Sequence, residues 1–198
     1  MFAPDDPMKL FREWFAAVQH VGLAEPSAAA LATADGEGRP SIRTVLVRGV
    51  DERGFAFYTN LESRKGRELL AHPEGAPVCL NFYWEPLMRQ VRIEGTALPV
   101  SPEEADDYWA SRPRGHQVAA YASPQSRVVP GGRKELEAAF AEWNRSLPQA
   151  DVPRPAFWSG FRVTPESIEF WEGQPNRLHD RIRYRREGGR WVREVLAP

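Results

Sequence analysis

The chain has very little of the residues that build disulfides and metal sites. Its 198 residues include one cysteine, Cys79, and four histidines. A lone cysteine excludes an internal disulfide, and its apolar, strand-like surroundings favour a buried, unreactive thiol. The histidines lack the spacing of metal ligands, so we expect no metal site. They are His20, His72, His116 and His179.

Net charge and long apolar segments are also lacking. Lys and Arg total 26 against 27 Asp and Glu, so no excess of positive charge attracts nucleic acid or an anionic membrane. No apolar run approaches the length of a membrane span, and the N-terminus lacks the charged-then-apolar pattern of a secretion signal. We therefore expect a cytoplasmic protein that binds neither nucleic acid nor membranes.

Several catalytic signatures are missing. No glycine-rich nucleotide fingerprint follows a strand, because Gly36 and Gly38 lie in a predicted hairpin turn. No Gly-x-Ser-x-Gly motif supplies a nucleophile for acyl transfer. What remains is a set of separate clusters that combine basic and aromatic residues. Such clusters predict ligands that are anionic and planar.

The order of elements predicts an α+β domain built on an antiparallel barrel with flanking helices. Many short strands are joined by hairpin-like links, and the alternation typical of parallel sheets is absent. We predict a single domain over residues 1–198. The predicted helices span 7–21, 63–71, 101–112, 116–121 and 133–144, and the predicted strands span 27–34, 42–48, 55–60, 78–83, 87–96, 157–163, 167–171, 181–186 and 191–195.

The segment from 42 to 67 holds a candidate anion site. Two strands run into a helix start at which Ser63 is a plausible N-cap, with Arg64 and Lys65 beside free backbone N–H groups. Arg43 could reach the same anion from the first strand. The alternative interpretation is a solvated, charged turn.

Two further basic features have competing interpretations. Helical spacing places Tyr108 and Arg112 one turn apart on one face, either as a ligand site or as a surface tyrosine beside a solvated arginine. The last stretch is rich in arginine from 177 to 193. We interpret it as a solvated sheet edge, with phosphate capture as the alternative.

An ordered series of motifs makes the chain recognisable. The motifs are Arg43-Thr44-Val45-Leu46-Val47-Arg48, Phe57-Tyr58-Thr59-Asn60, Ser63-Arg64-Lys65, Arg89-Gln90-Val91, Ser111-Arg112-Pro113-Arg114, Ser123-Pro124-Gln125-Ser126, Glu169-Phe170-Trp171-Glu172-Gly173 and Asn176-Arg177-Leu178-His179-Asp180-Arg181. Through these motifs the chain resembles the pyridoxine/pyridoxamine 5'-phosphate oxidase family over nearly its whole length. The resemblance implies an FMN-binding split β-barrel, a homodimer with FMN clefts at its interface, and oxidation of phosphorylated B6 vitamers to pyridoxal 5'-phosphate with O2 as acceptor and H2O2 as product.

The resemblance also implies roles for individual residues. Arg177 and His179 are the expected catalytic pair at the substrate's pyridine ring, and both are expected to bind the substrate together with Leu178. Strand-like alternation predicts that Leu178 packs behind the other two. The substrate's phosphate would bind to Arg48, Tyr108, Arg112 and His116. The expected FMN-binding residues are Arg43, Thr44, Val45, Leu46, Tyr58, Thr59, Arg64, Lys65, Gln90, Gln125, Ser126, Trp171 and Arg181.

Three residues depart from the family pattern, and all of them concern the substrate rather than FMN. Arg48 stands where lysine is usual, His116 where serine is common, and Val195 where arginine is frequent. The N-terminal extension of some members is also expected to be mostly missing. Two alternatives therefore stay open. One is a related flavin oxidase of the phenazine-pathway type, and the other is a non-catalytic flavin- or pyridoxal-phosphate-binding protein.

Overall fold

The computed structural model describes residues 3–198, so Met1 and Phe2 of the predicted domain lie outside the described residues. Within that range the chain forms five α-helices and eight β-strands. The helices are α1 (Pro7–Val18), α2 (Arg64–Leu70), α3 (Pro102–Ser111), α4 (Arg114–Ala122) and α5 (Gly132–Ser146). The strands are β1 (Ala28–Ala34), β2 (Pro40–Asp51), β3 (Gly54–Asn60), β4 (Ala76–Trp84), β5 (Arg89–Pro99), β6 (Trp158–Glu172), β7 (Asp180–Glu187) and β8 (Arg190–Val195).

All strands belong to one antiparallel sheet that closes on itself. Its order is β3-β2-β1-β4-β5-β6-β7-β8. An additional pairing joins β3, the first strand in this order, to β6, the sixth. Six strands therefore form a closed barrel, while β7 and β8 extend it beyond the closure. This arrangement confirms the predicted antiparallel barrel with flanking helices.

Helix starts follow the capping residues in the sequence. The Ser63 side chain accepts a hydrogen bond from the Gly66 amide at 3.1 Å, and Ser101 accepts one from Glu104 at 3.1 Å. These contacts confirm the predicted starts of α2 and α3. Helix α1 ends at Val18 rather than at 21, because the amides of His20 and Val21 turn back to carbonyls three residues earlier.

One predicted break in the sheet is wrong. Strands expected at 157–163 and 167–171 form the single strand β6 of 15 residues. Pro165 cannot donate to the ladder, but it pairs with Gly95 where the β5–β6 register shifts between Glu94 and Gly95. This local bulge accommodates the proline without ending the strand.

The barrel interior is the main core, and a smaller aromatic cluster lies outside it. Helix α1 contributes Phe11, whose ring meets Phe55 at 4.9 Å and Phe82 at 5.2 Å between centroids. The smaller cluster is centred on the buried side chains of Trp109 and Trp158. Among residues 3–198, no helix combines the length and apolar character that a membrane crossing requires.

Candidate active site

A cavity of about 500 Å³ opens on the outside of the barrel, beside the smaller aromatic cluster. Strands β2 and β3 form one wall, and helices α3 and α4 form the other. Its lining brings together many of the predicted site residues from distant parts of the sequence. They are Thr44, Val45, Leu46, Arg48, Tyr58, Thr59, Lys65, Tyr108, Arg112, His116 and Gln125.

Lys65 is a buried cation that faces only neutral oxygens. Lys65 is only 8% exposed, and its Nζ donates to Thr59 Oγ1 at 3.0 Å and to Gln125 Oε1 at 3.0 Å. No ion pair joins it to a carboxylate within residues 3–198. Burial, reinforced by the nearby charge of Arg43 and partly opposed by that of Glu68, lowers the pKa of Lys65 to about 8. A buried ammonium without a counter-ion is suited to an anionic ligand.

Arg112 is the second cation of the cavity without an acidic partner. Its guanidinium lies 4.7 Å from the Trp158 ring and 5.0 Å from the Trp109 ring, measured to their centroids. Its Nη1 is buried and has no hydrogen-bond partner in the described part of the chain. Burial lowers the pKa of Arg112, although the group remains charged at neutral pH. The aromatic rings hold this cation while leaving its donors available.

Stacked aromatic rings form the wall next to Arg112. Tyr58 lies 3.9 Å from Tyr108 between ring centroids and 5.7 Å from Trp158. Gly160 lies opposite Tyr58 in the β3–β6 ladder, and a Cβ at that position would come within 2.6 Å of the tyrosine ring. Burial and the neighbouring Glu104 carboxylate raise the pKa of Tyr58 to about 12, so its hydroxyl stays protonated.

Arg48 is placed by an irregularity in β2. The β2–β3 register shifts between Val47 and Gly49, which leaves Arg48 without a partner on β3. Bulges of this kind redirect a side chain and are frequent beside active sites. The guanidinium bonds to Glu25 at 3.2 Å and to Ser27 at 3.3 Å, so this lining cation does have an acidic partner.

Arg43 and Arg64 both contact the carboxylate of Glu68 and do not line the cavity. Glu68 accepts from Arg64 Nε at 2.8 Å and from Arg43 Nη2 at 3.2 Å. Burial opposes ionisation of Glu68, but hydrogen bonds from Thr33, Ser41 and Arg64 lower its pKa to about 2. The two arginines thus flank the Lys65 end of the cavity as parts of an ionic cluster.

A second group of predicted site residues lies on β5, β6 and β7, away from the cavity. Gln90 is opposite Trp171 in the sheet, and Trp171 is opposite Arg181. The Trp171 and His179 rings lie 4.7 Å apart between centroids. Arg181 donates to the buried Glu169 carboxylate at 2.8 Å. One chain therefore carries two separate halves of the predicted site.

The turn from 175 to 178 differs from its prediction. Asn176 and Arg177 both adopt left-handed backbone conformations, with φ of 57° and 61°. This turn breaks the strand-like alternation that was expected to pack Leu178 behind its neighbours, and Leu178 is instead 70% exposed. His179 Nδ1 accepts from the Gln174 amide at 3.1 Å, which assigns the proton of the neutral ring to Nε2. Ser126, in the loop after Gln125, is also left-handed, with φ of 68°.

Comparisons with known proteins agree with this geometry. Residues 16–146 match the family model described as pyridoxamine 5'-phosphate oxidase. The chain belongs to the pyridoxamine 5'-phosphate oxidase family. Residues 158–198 match the model of the pyridoxine 5'-phosphate oxidase C-terminal dimerisation region, so the two matches together cover most of the chain. The family resemblance seen in the motifs is confirmed.

Individual relatives of this oxidase family match over nearly the whole chain. The protein named pyridoxine/pyridoxamine 5'-phosphate oxidase from Rubrobacter xylanophilus is 54% identical, covering 99% of this chain and 88% of the relative. A protein of the same name from Synechocystis is 48% identical, with coverages of 98% and 89%. Among solved structures, PhzG from Burkholderia lata, in complex with tetrahydrophenazine-1-carboxylic acid, matches with a TM-score of 0.91 and 35% identity. It covers 98% of this chain and 94% of its own.

Residues for which the sequence predicted no role complete both halves of the site. Trp158 is at the start of β6 and supports Arg112, while Glu68 and Glu169 hold arginines by buried carboxylates. Glu68 could have been predicted from the sequence, because it follows Arg64 by four residues on a predicted helix, a spacing that favours an ion pair. Glu169 had a weaker signal, because its alternation with Trp171 places both residues on one face of a strand.

Proposed function

We propose that this protein is an FMN-dependent oxidase that converts pyridoxamine 5'-phosphate and pyridoxine 5'-phosphate to pyridoxal 5'-phosphate. Dioxygen would be the electron acceptor and hydrogen peroxide the product. The observation that carries the proposal is a pair of cations in one cavity, the buried Lys65 and the half-buried Arg112, neither of which bonds to a carboxylate in the described chain. Two phosphorylated ligands, a cofactor and a substrate, account for two such cations.

The residues around Lys65 suit the phosphate and polar edge of FMN. The ammonium supplies charge, and Arg64, on the same helix, adds a guanidinium whose terminal nitrogens are not used by Glu68. Thr59 and Gln125 already meet Lys65, and side-chain amides match the donors and acceptors of a flavin. When bound, FMN would supply the two-electron redox chemistry between the substrate and dioxygen.

The Arg112 end of the cavity suits the substrate phosphate. Arg112, Tyr108 and His116 converge there from α3 and α4. In this proposal the chain's own contribution to catalysis is orientation, with Arg177 and His179 contacting the pyridine ring. Because the Gln174 amide occupies His179 Nδ1, the Nε2–H remains for a ring substituent.

We infer that the working unit is a homodimer, in which the second half-site of one chain completes the cavity of its partner. Gln90, Trp171, Arg177, His179 and Arg181 do not line the cavity of their own chain. Four of these five residues fall within 158–198, the region matched to a C-terminal dimerisation region. Large apolar side chains are also exposed near both halves, including Leu46 and Leu178.

The direct test is peroxide release by purified protein supplied with FMN and pyridoxamine 5'-phosphate. We expect release in proportion to pyridoxal 5'-phosphate formed, with one flavin bound per chain. Protein that binds FMN without turning over would favour a binding-only role. Failure to bind FMN at all would overturn the proposal.

A second candidate is an oxidase of the phenazine-pathway type. The match to PhzG favours it, because that structure contains tetrahydrophenazine-1-carboxylic acid and covers nearly the whole chain. Arg48 and His116, which differ from the usual residues of the family at substrate-binding positions, both line the cavity and are consistent with a different substrate. Faster peroxide release with that tricyclic acid than with pyridoxamine 5'-phosphate would select this candidate.

A further inference from the structure

The carboxylate of Glu68 joins three elements at the edge of the candidate FMN site. It is 6% exposed and lies on α2, one helical turn after Arg64. Its Oε2 accepts from Ser41 at 2.8 Å on β2 and from Thr33 on β1, and the same oxygen accepts from Arg43. Its Oε1 accepts from Arg64. Both oxygens of this buried group are therefore hydrogen-bonded.

The bonds to Glu68 leave the two arginines with different free donors. Arg64 bonds to Glu68 through Nε alone, so both terminal nitrogens point away from that contact, on a side chain that is 56% exposed. Arg43 uses both terminal nitrogens within the barrel, bonding to Leu31, Thr33, Ser41 and Glu68. Arg64 is therefore the arginine of this cluster that can offer a fork of two donors to an anion.

The charge of the cluster also matches a phosphate. Arg43, Arg64 and Lys65 carry three positive charges, and Glu68 removes one, which leaves a formal charge of +2. A phosphate monoester carries a charge of about −2 at neutral pH. Without Glu68 the three cations would repel one another with no acid between them.

We propose that Glu68 is a positioning residue for the phosphate of FMN, acting through Arg64. It fixes the Arg64 guanidinium by its Nε and keeps the neighbouring cations at a fixed separation. This inference rests on the proposed FMN function. Glu68 itself does not touch the ligand, and its effect is confined to the phosphate end of the cofactor.

A purely structural role for Glu68 predicts something different. Loosening of β1, β2 and α2 would weaken the binding of any flavin, with or without a phosphate. Loss of Arg64 positioning would weaken the binding of FMN and leave riboflavin unaffected. The ratio of the two dissociation constants therefore separates the roles.

The test compares FMN and riboflavin binding to the full-length apoprotein by flavin fluorescence. For Glu68→Gln we expect the preference for FMN over riboflavin to fall by about fivefold to tenfold, the scale of one weakened charge-assisted hydrogen bond. In an Arg64→Ala background, the same change should have less than half of that effect, because its partner is gone. Glu137→Gln is the matched control, since it removes an i,i+4 Arg–Glu pair of the same kind, on α5, with a separation of 2.7 Å.

The outcomes separate the two proposals. An unchanged FMN-to-riboflavin ratio in a folded Glu68→Gln protein overturns the positioning role, as does an equal effect with and without Arg64. A wild-type protein that does not prefer FMN over riboflavin contradicts the proposed function instead. If Glu68→Gln does not fold, Glu68→Asp keeps the charge but withdraws the oxygens from Arg64. It should lower the ratio in the same direction.

Discussion

Two regions of this molecule are rich in basic residues but differ in how their charges are satisfied. On β7 and β8, Arg183 and Arg185 bond to Glu194 at 2.6 and 2.8 Å. In the cavity, Lys65 and Arg112 have no acidic partner within residues 3–198. The density of cations is therefore a poor guide to a binding site. The absence of a directly bonded acid distinguishes Lys65 and Arg112 from the arginines of the sheet edge.

Burying a cation without a bonded acid costs free energy, and this cost indicates a functional role. An exposed ion pair costs little to form and contributes little. The Lys65 ammonium loses hydration on burial and bonds only to neutral oxygens. Its pKa is therefore lowered to about 8, chiefly by burial, although the nearby Glu68 opposes the shift. Such an arrangement is retained where a ligand supplies the missing charge.

The largest expected effect extends the comparison to Arg177, an exposed arginine near β7 that has no ion pair in the described chain. Arg177→Ala should lower turnover of pyridoxamine 5'-phosphate by about a hundredfold or more, the scale of a misplaced reactant. FMN content should not change. Steady-state peroxide release and the flavin absorbance of the purified protein measure the two quantities. Full activity in the variant would remove Arg177 from the site.

The next effect tests the unpaired cation directly. Arg64→Ala combined with Lys65→Met should weaken FMN binding by more than tenfold, since each bond to a charged group contributes about 1.5–3 kcal/mol. Lys65→Met alone should leave the apoprotein at least as stable as wild type, because it removes a buried charge without a partner. Flavin titration and thermal melts measure both. A large loss of apoprotein stability would show that Lys65 is structural.

Arg112→Met should raise the KM for pyridoxamine 5'-phosphate by about tenfold, because one charge-assisted contact to the substrate's phosphate is lost. Methionine retains much of the packing against Trp109 and Trp158. The comparison substrate is pyridoxamine without its phosphate, for which wild type and variant should be equally poor. A variant that impairs the reaction with both substrates to the same extent would argue against a phosphate contact.

Lys65 also predicts two opposite pH dependences. In the unfolded chain its pKa is about 10.4, so between about pH 8 and that value the unfolded chain binds more protons than the native one. The free energy of unfolding of the apoprotein should therefore gain a contribution that rises with pH in this window. FMN affinity should fall over the same window, as the ammonium deprotonates. Denaturant melts and flavin titrations at several pH values, each compared with Lys65→Met, isolate both effects.

The smallest effect belongs to the paired arginines. Glu194→Gln removes the acid between Arg183 and Arg185, and we expect little change in the free energy of unfolding, because these pairs are partly exposed to solvent. FMN affinity and turnover should match wild type. A strong loss of FMN in this variant would mean that the β7–β8 edge also serves the site, and the contrast drawn above would be wrong.

Local signals in the sequence predicted the fold well where the structure depends on neighbouring residues. Ser63 and Ser101 cap their helices as expected, and most strand positions agree to within a few residues. The continuity of β6 past Pro165 was not predictable, because it depends on a bulge at Glu166 that forms only when β6 pairs with β5. Many of the residues predicted from the family motifs line one cavity. The acids that bond to the predicted arginines were not predicted. The Arg43–Glu68 contact joins positions 25 residues apart, and only the packing of α2 on β2 creates it.

Strand β6 acts as a rigid spacer between the two halves of the site. Trp158 at its first residue supports Arg112, while Trp171, thirteen positions later, belongs to the second half-site. At roughly 3.3 Å per residue, these ends lie about 40 Å apart, a distance that side-chain motion does not bridge. A single chain that holds its strand intact should therefore have no complete site, however well it binds phosphate. Specific activity should then fall on dilution, as the subunits separate, and recover on concentration. The monomer–dimer equilibrium would therefore determine the active fraction of the protein.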